Sequence, residues 1–227
     1  MIFVRLFIFL LLCMPQLLCA QNCALLLPSS VVEISMLFGE PRISSEMGWK
    51  EITYKAASSL EKIGKNNQVF GLTEMAIDTH FNLAVSAVPS GVNNIKCGRL
   101  TLKVSFKTSA PIIYLAQEMS TNSCVFKEVL EHEKRHVALQ KKLLSELLKE
   151  VDAEMGRVYN GQYFQGDSEQ LLQRFNQEIT RFWKPRWDGR LAGFSFYHAQ
   201  EIDTPSESER MGVLCDAELS KIVFKKH

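Results

Sequence analysis

The chain has 227 residues, 46% of them hydrophobic, with 26 Lys and Arg against 25 Asp and Glu for a formal net charge of +1. That length can bury a full core. So even a charge balance offers no electrostatic attraction to DNA, RNA or an anionic membrane, whereas a peptide or protein substrate is compatible with it.

Residues 1–20 read as a secretory signal peptide: Arg5 is followed by an apolar run from Leu6 to Met14 and by the small residue Ala20, with cleavage expected before Gln21. The run is too short to span a bilayer, so the mature chain is expected to be exported, periplasmic or extracellular, with no stable membrane span. Residues 21–227 are most simply one domain. Loss of the leader removes Cys13 and Cys19 and leaves Cys23, Cys97, Cys124 and Cys215. Four cysteines in an exported chain predict two disulfides, and spacing alone leaves all three pairings open. No C-x-x-C pair occurs, which excludes thioredoxin-like chemistry and cysteine-knuckle zinc sites.

The mature chain opens on strand-like Val31-Val-Glu-Ile, and the stretch from Tyr54 to Ile63 fits a short helix or a strand equally well. Val69 to Ile77 and His80 to Val88 are rich in β-branched, aromatic or alternating residues, with turn residues after them at Pro89-Ser90-Gly91 and Asn93-Asn94. From Leu100 to Lys107 the alternation is regular, placing Leu100, Leu102, Val104 and Phe106 on one face of a strand. Pro111 to Ala116 supplies another strand-like run.

Cys124 to Met155 contains no Gly or Pro and carries His132-Glu133-Lys134-Arg135-His136, an H-E-x-x-H pattern. Val125, Val129, His132, His136, Leu143, Leu147 and Val151 recur at helical steps, so the two imidazoles share the apolar face, one turn apart. Glu133 is expected at the edge of that face. Asn122 or Ser123 can cap the helix, and Gly156 is the expected stop. A second helix is expected from an Asp167 or Ser168 cap through Phe175 and Trp183, ending at Pro185 and packing antiparallel to the first. Beyond it come an aromatic, strand-like run from Leu191 to His198, a Thr204-Pro205 turn and a short element around Cys215. The expected fold class is α+β, an antiparallel sheet covered by the long helix and its antiparallel neighbour.

Two neutral imidazoles at this spacing suit Zn2+, with a third protein ligand and an open position for water. Glu133 is then placed to take a proton from that water. The third ligand is not fixed by the sequence, because Leu139 and Lys142 stand where a further glycine and histidine would extend the pattern. Asp152 and Glu154 are on the same unbroken helix, and Glu154 would lie about 27 Å from His136 at 1.5 Å per residue. His198 is the first choice, followed by Glu178 and His80, with Asp203 and Glu201 as remaining candidates. Glu128, one turn before His132, is a candidate for orienting it, and Tyr163 and Tyr197 are candidate oxyanion donors with packing as the plainer role. Trp49, Trp183 and Trp187 read as core or cleft wall.

Together, the leader, the segment Cys124-Val-Phe-Lys-Glu-Val-Leu-Glu-His-Glu-Lys-Arg-His-Val137 and, more loosely, Ile202-Asp-Thr-Pro-Ser-Glu-Ser-Glu resemble a zincin-type metallopeptidase. More narrowly, the chain is similar to a group of bacterial secreted proteins regarded as zinc-dependent proteases. The resemblance implies a zincin-like fold, zinc held by His132 and His136, Glu133 as general base and hydrolysis of peptide bonds outside the cytoplasm. The competing expectations are a non-catalytic exported scaffold or binding domain, and a zinc amidase acting on cell-wall material.

Overall fold

A computed structural model describes residues 23–59, 68–90, 96–121 and 123–213, together with Cys215, Glu218, Lys221 and Ile222. The expected signal peptide and Asn122 lie outside the described residues. The class is α+β. Strands β1 (Val31–Leu37), β4 (Ile77–Pro89), β5 (Lys96–Thr108) and β7 (Phe164–Gln165) form one sheet, in the order β1-β5-β4 with β7 also on β5. Strands β2 (Arg42–Ser44), β3 (Gly71–Glu74) and β6 (Ile112–Leu115) form another, in the order β2-β6-β3. The helices are α1 (Trp49–Ser59), α2 (Cys124–Tyr159), α3 (Ser168–Glu178), α4 (Lys184–Ala192), α5 (Phe194–Glu201) and α6 (Pro205–Val213), with a π turn (Ile179–Trp183) between α3 and α4.

The chain divides into two compact units built from interleaved segments. The first comprises residues up to Met36, Thr79–Ser105 and Leu148–Trp187. Its central strand is β5, where Leu100, Leu102 and Val104 are at most 1% exposed, as their alternation predicts. The far part of α2 and the helix after it run antiparallel: Tyr159 meets Phe175 and Trp183, and Glu154 pairs with Arg186 further on. Asp167 caps α3 by accepting from the Gln170 N–H at 2.9 Å.

Two expected helix ends move. Gly156 does not stop α2, which runs on to Tyr159 and turns at Gly161, where φ is +75°. A lone glycine inside a helix costs only about 1 kcal/mol, and the backbone that requires a glycine comes five residues later. Pro185 does not end the second helix either. The Lys184 N–H reaches the Ile179 carbonyl, five residues back, and the helix continues through this wide turn and past Pro185 into α4.

The second unit comprises Leu37–Asp78, Phe106–Leu147 and Asp188 onward. Its sheet is mixed rather than antiparallel: β2 runs parallel to β6, and β3 runs antiparallel to it, with Gly71 opposite Leu115 and Thr73 opposite Ile113. The parallel pair is possible because β2 and β6 are joined by a long crossover that includes α1, β3, β4 and β5. Ile113 and Leu115 pack with Val125, Val129 and Val137 of α2 and with Ile52 of α1 in one buried cluster. Of the ambiguous stretch from Tyr54 to Ile63, the part up to Ser59 belongs to α1 and residues 60–63 lie outside the described residues; the first N–H groups of α1 are taken by the Glu51 and Glu118 carboxylates. Ser123 caps α2 by accepting from the Phe126 N–H at 3.1 Å. The aromatic run before His198 is helical, not a strand: α4 closes where the Gly193 N–H bonds to the Arg190 carbonyl, and α5 restarts at Phe194. A short apolar run cannot by itself separate strand from helix.

The disulfides are Cys23–Cys97 in the first unit and Cys124–Cys215 in the second. They point to a non-cytoplasmic protein. Among the described residues no helix is long and apolar enough to cross a membrane. Cys124–Cys215 closes 91 residues of sequence separation and ties the start of α2 to the segment after α6. Serine at both positions should lower the unfolding free energy by about 4 kcal/mol, measured by urea titration with Cys23–Cys97 left oxidised.

Candidate metal centre

In the first part of α2 a buried row runs through Val125, Val129, Glu133 and Val137, at strict steps of four. This places Glu133, at 4% exposure, in the middle of the buried face rather than at its edge, with the two histidines alongside. Further along, the buried residue is Leu144 instead of Leu143. The row meets β3, whose Gly71 and Thr73 point to the same side because strand side chains alternate. A Cβ at Gly71 would fall 2.6 Å from both Glu133 Oε1 and Val129 Cγ1, so only a glycine lets the helix carboxylate come this close. Thr73 Oγ1 donates to Glu133 Oε2 at 2.8 Å. Burial pushes the Glu133 pKa up, against the opposing pull of His136, the Thr73 hydrogen bond and His132.

The two imidazoles stand one turn apart with ring centroids 4.9 Å from each other. His132 Nε2 and His136 Nε2 are 3.2 Å apart. The carboxylate that joins them is Asp203, whose Oδ1 lies 3.2 Å from His132 Nε2 and 3.0 Å from His136 Nε2. Among the described residues, these three form a group able to hold a metal ion. The fit can be tested on the triangle itself. Around a tetrahedral zinc with bonds of about 2.0–2.1 Å, neighbouring ligand atoms stand about 3.3–3.4 Å apart. The observed edges are within a few tenths of an ångström of that spacing, and the donor set of two imidazoles and one carboxylate is one that zinc accepts.

Asp203 reaches this point from the short link between α5 and α6. Thr204 caps α6 by accepting from the Glu207 N–H at 3.2 Å, and Pro205 occupies the first helical position. Ile202, at 6% exposure, anchors the link. On the other side of His132, Nδ1 lies 3.4 Å from Glu207 Oε1 and 3.2 Å from Arg135 Nη2. Glu207 is bound by Arg135 and by both Nε and Nη2 of Arg210, each of the latter at 2.9 Å.

His198 belongs to α5, and its side chain lies outside the described residues. Glu178 ends α3, His80 is on β4 and Glu201 ends α5, and none of them is in the three-residue group. Glu128 pairs with Arg210 at 3.4 Å, and the carboxylate at His132 Nδ1 is Glu207. The Tyr163 hydroxyl donates to the Leu27 carbonyl, Tyr197 is exposed, and Trp183 and Trp187 are core residues. Sequence reasoning passed over Thr73 and Glu207. For Glu207 a signal existed, since Thr204-Pro205-Ser206-Glu207 has the form of a helix start. Thr73 carried none.

The charges on Asp203 and His132 support each other. Burial opposes ionisation of Asp203, but hydrogen bonds from His132 and His136 outweigh it and hold its pKa far below the ordinary 3.8. Burial likewise works against the His132 imidazolium, but Asp203, Glu133 and Glu207 raise its pKa above 6.5. In the metal-free protein, the Asp203 contribution to stability is present above pH 3.8 and fades as pH falls. The His132 contribution is full below 6.5 and fades as pH rises through its raised folded value. The thermal midpoint lost on Asp203→Asn should therefore be larger at pH 5 than at pH 8. Thr73→Val, which keeps the shape and removes the donor to a buried carboxylate, should cost about 1–3 kcal/mol by urea unfolding.

No family model matches the chain, and no curated protein or solved structure does so either.

Proposed function

We infer that the protein is an exported, zinc-dependent peptidase of zincin type, with His132, His136 and Asp203 as metal ligands and Glu133 as general base. One observation carries this reading: three ligand atoms of the right chemistry meet at 3.0–3.2 Å, two of them from an H-E-x-x-H helix whose intervening glutamate is buried beside them. The helix lies against a sheet in which β3 is one of the two edge strands, which accords with a zincin-like arrangement in which an extended peptide adds to a strand edge near the metal.

His132, His136 and Asp203 would hold a divalent ion such as zinc, which would supply polarisation of a substrate carbonyl and a water of lowered pKa. Glu133 would accept the proton of that water as its oxygen bonds to the carbonyl carbon, and would deliver it to the leaving nitrogen as the C–N bond breaks. In the metal-free chain burial raises its proton affinity. Thr73 donates to Oε2 and fixes the orientation of the carboxylate.

The purified chain should contain one zinc per molecule, and His136→Ala should lose it. Glu133→Gln should keep the zinc and lower peptide hydrolysis by at least about 100-fold, read with a fluorogenic peptide library. Failure of the wild-type chain to bind zinc rejects the metal site. Zinc with turnover of cell-wall fragments and none of peptides makes the protein an amidase. Zinc with neither activity returns it to the class of exported binding domains.

A further inference from the structure

Helix α6 begins with Thr204-Pro205-Ser206-Glu207, the spacing of a reciprocal cap in which the glutamate side chain turns back to the N–H of the capping residue. Only half of that arrangement is used here for capping: Thr204 accepts from the Glu207 N–H, while the Glu207 carboxylate turns toward α2. Its Oε1 meets Arg210 Nη2 and Arg135 and lies 3.4 Å from His132 Nδ1, and its Oε2 takes Arg210 Nε. The side chain is 13% exposed, and the two guanidinium groups balance the charge of a nearly buried anion. Arg210 is itself steadied by Glu128 at 3.4 Å.

Two groups compete for His132 Nδ1, and they demand opposite tautomers. Arg135 can only donate, so a hydrogen bond from it requires a bare Nδ1 and places the imidazole proton on Nε2. Glu207 can only accept, so a hydrogen bond to it places the proton on Nδ1 and leaves the Nε2 lone pair facing His136 and Asp203. Metal binding through Nε2 is possible only in the second arrangement.

We propose that Glu207 is the positioning residue for His132, fixing the tautomer and ring orientation that offer Nε2 to a metal, so that one helix start supplies both a ligand, Asp203, and the acceptor behind another. This rests on the metal-site reading above. It gives a role to the Asp203-to-Glu207 stretch as a unit: the residue before the cap enters the site, and the third residue of the helix steadies the imidazole from behind. Arg210 holds that carboxylate in place through both of its oxygens.

The test uses the full mature chain and Zn2+ alone, with affinity measured by competition against a chromogenic chelator and the fold of each metal-free variant checked by circular dichroism and thermal midpoint. Glu207→Gln should weaken Zn2+ binding by about 10–100-fold, with the Co2+ form showing a shifted visible spectrum. Arg135→Met, which removes the competing donor and leaves Glu207 with His132, should keep the affinity or raise it. A Glu207→Gln protein that binds Zn2+ within about threefold of wild type overturns the proposal and leaves the metal site standing. So does a tenfold loss in Arg135→Met, which would make the guanidinium the partner of Nδ1. If Glu207→Gln does not fold, the Arg135→Met result decides by the same criterion. A wild-type chain that binds no Zn2+ ends both the metal-site reading and this one.

Discussion

A carboxylate oxygen that lies about 3 Å from two imidazole nitrogens, which are themselves about 3 Å apart, needs positive charge among them. Protons can supply it, and so can a metal ion. The Asp203, His132 and His136 triangle is this situation, and much of the second unit is arranged to keep it closed. The helix brings the two nitrogens together by its own geometry, since residues four apart lie on one face. Asp203 has no such help from local structure. It is 67 residues beyond His136 and is held by the buried Ile202 before it and the capped helix after it.

The neighbouring elements make that placement cheap. Glu133 can sit deep beside β3 because Gly71 has no side chain and Thr73 offers a hydroxyl. The charge of Glu207 is tolerable at low exposure because two arginines share it. The Cys124–Cys215 bridge limits how far the segment after α6 can move from the start of the helix that carries the histidines. Each of these features is a solution to the same electrostatic problem, that ionisable groups leave water only with partners.

The sequence shows local geometry well and distant partners poorly. The H-E-x-x-H helix, the alternating strand from Leu100 and the Asp167 cap depend on residues within a turn or two of one another, and they are where periodicity places them. Burial of Glu133 was harder to see, because an acidic residue next to an apolar stripe is ordinarily solvated and the donor that compensates it comes from β3. Asp203 was one of several carboxylates and histidines near the end of the chain, and nothing local separates it from Glu201 or Glu178. The parallel pairing of β2 with β6 was similarly hidden, since short strands carry no mark of direction.

The wide turn at Ile179–Trp183 has an effect on the phase of the helix around it. Leu171, Phe175, Ile179, Trp183 and Trp187 follow one another at steps of four, and all are at most 6% exposed. In an uninterrupted α-helix, four residues overshoot a full rotation by about 40°, so four such steps would wind the row about 160° around the axis and carry Trp187 towards the opposite side. A turn closed five residues back winds less per residue and takes up part of that overshoot. Phe81 can then stack on Trp187 with ring centroids 5.3 Å apart, and deleting one residue from this turn would rotate the indole out of register with its partner.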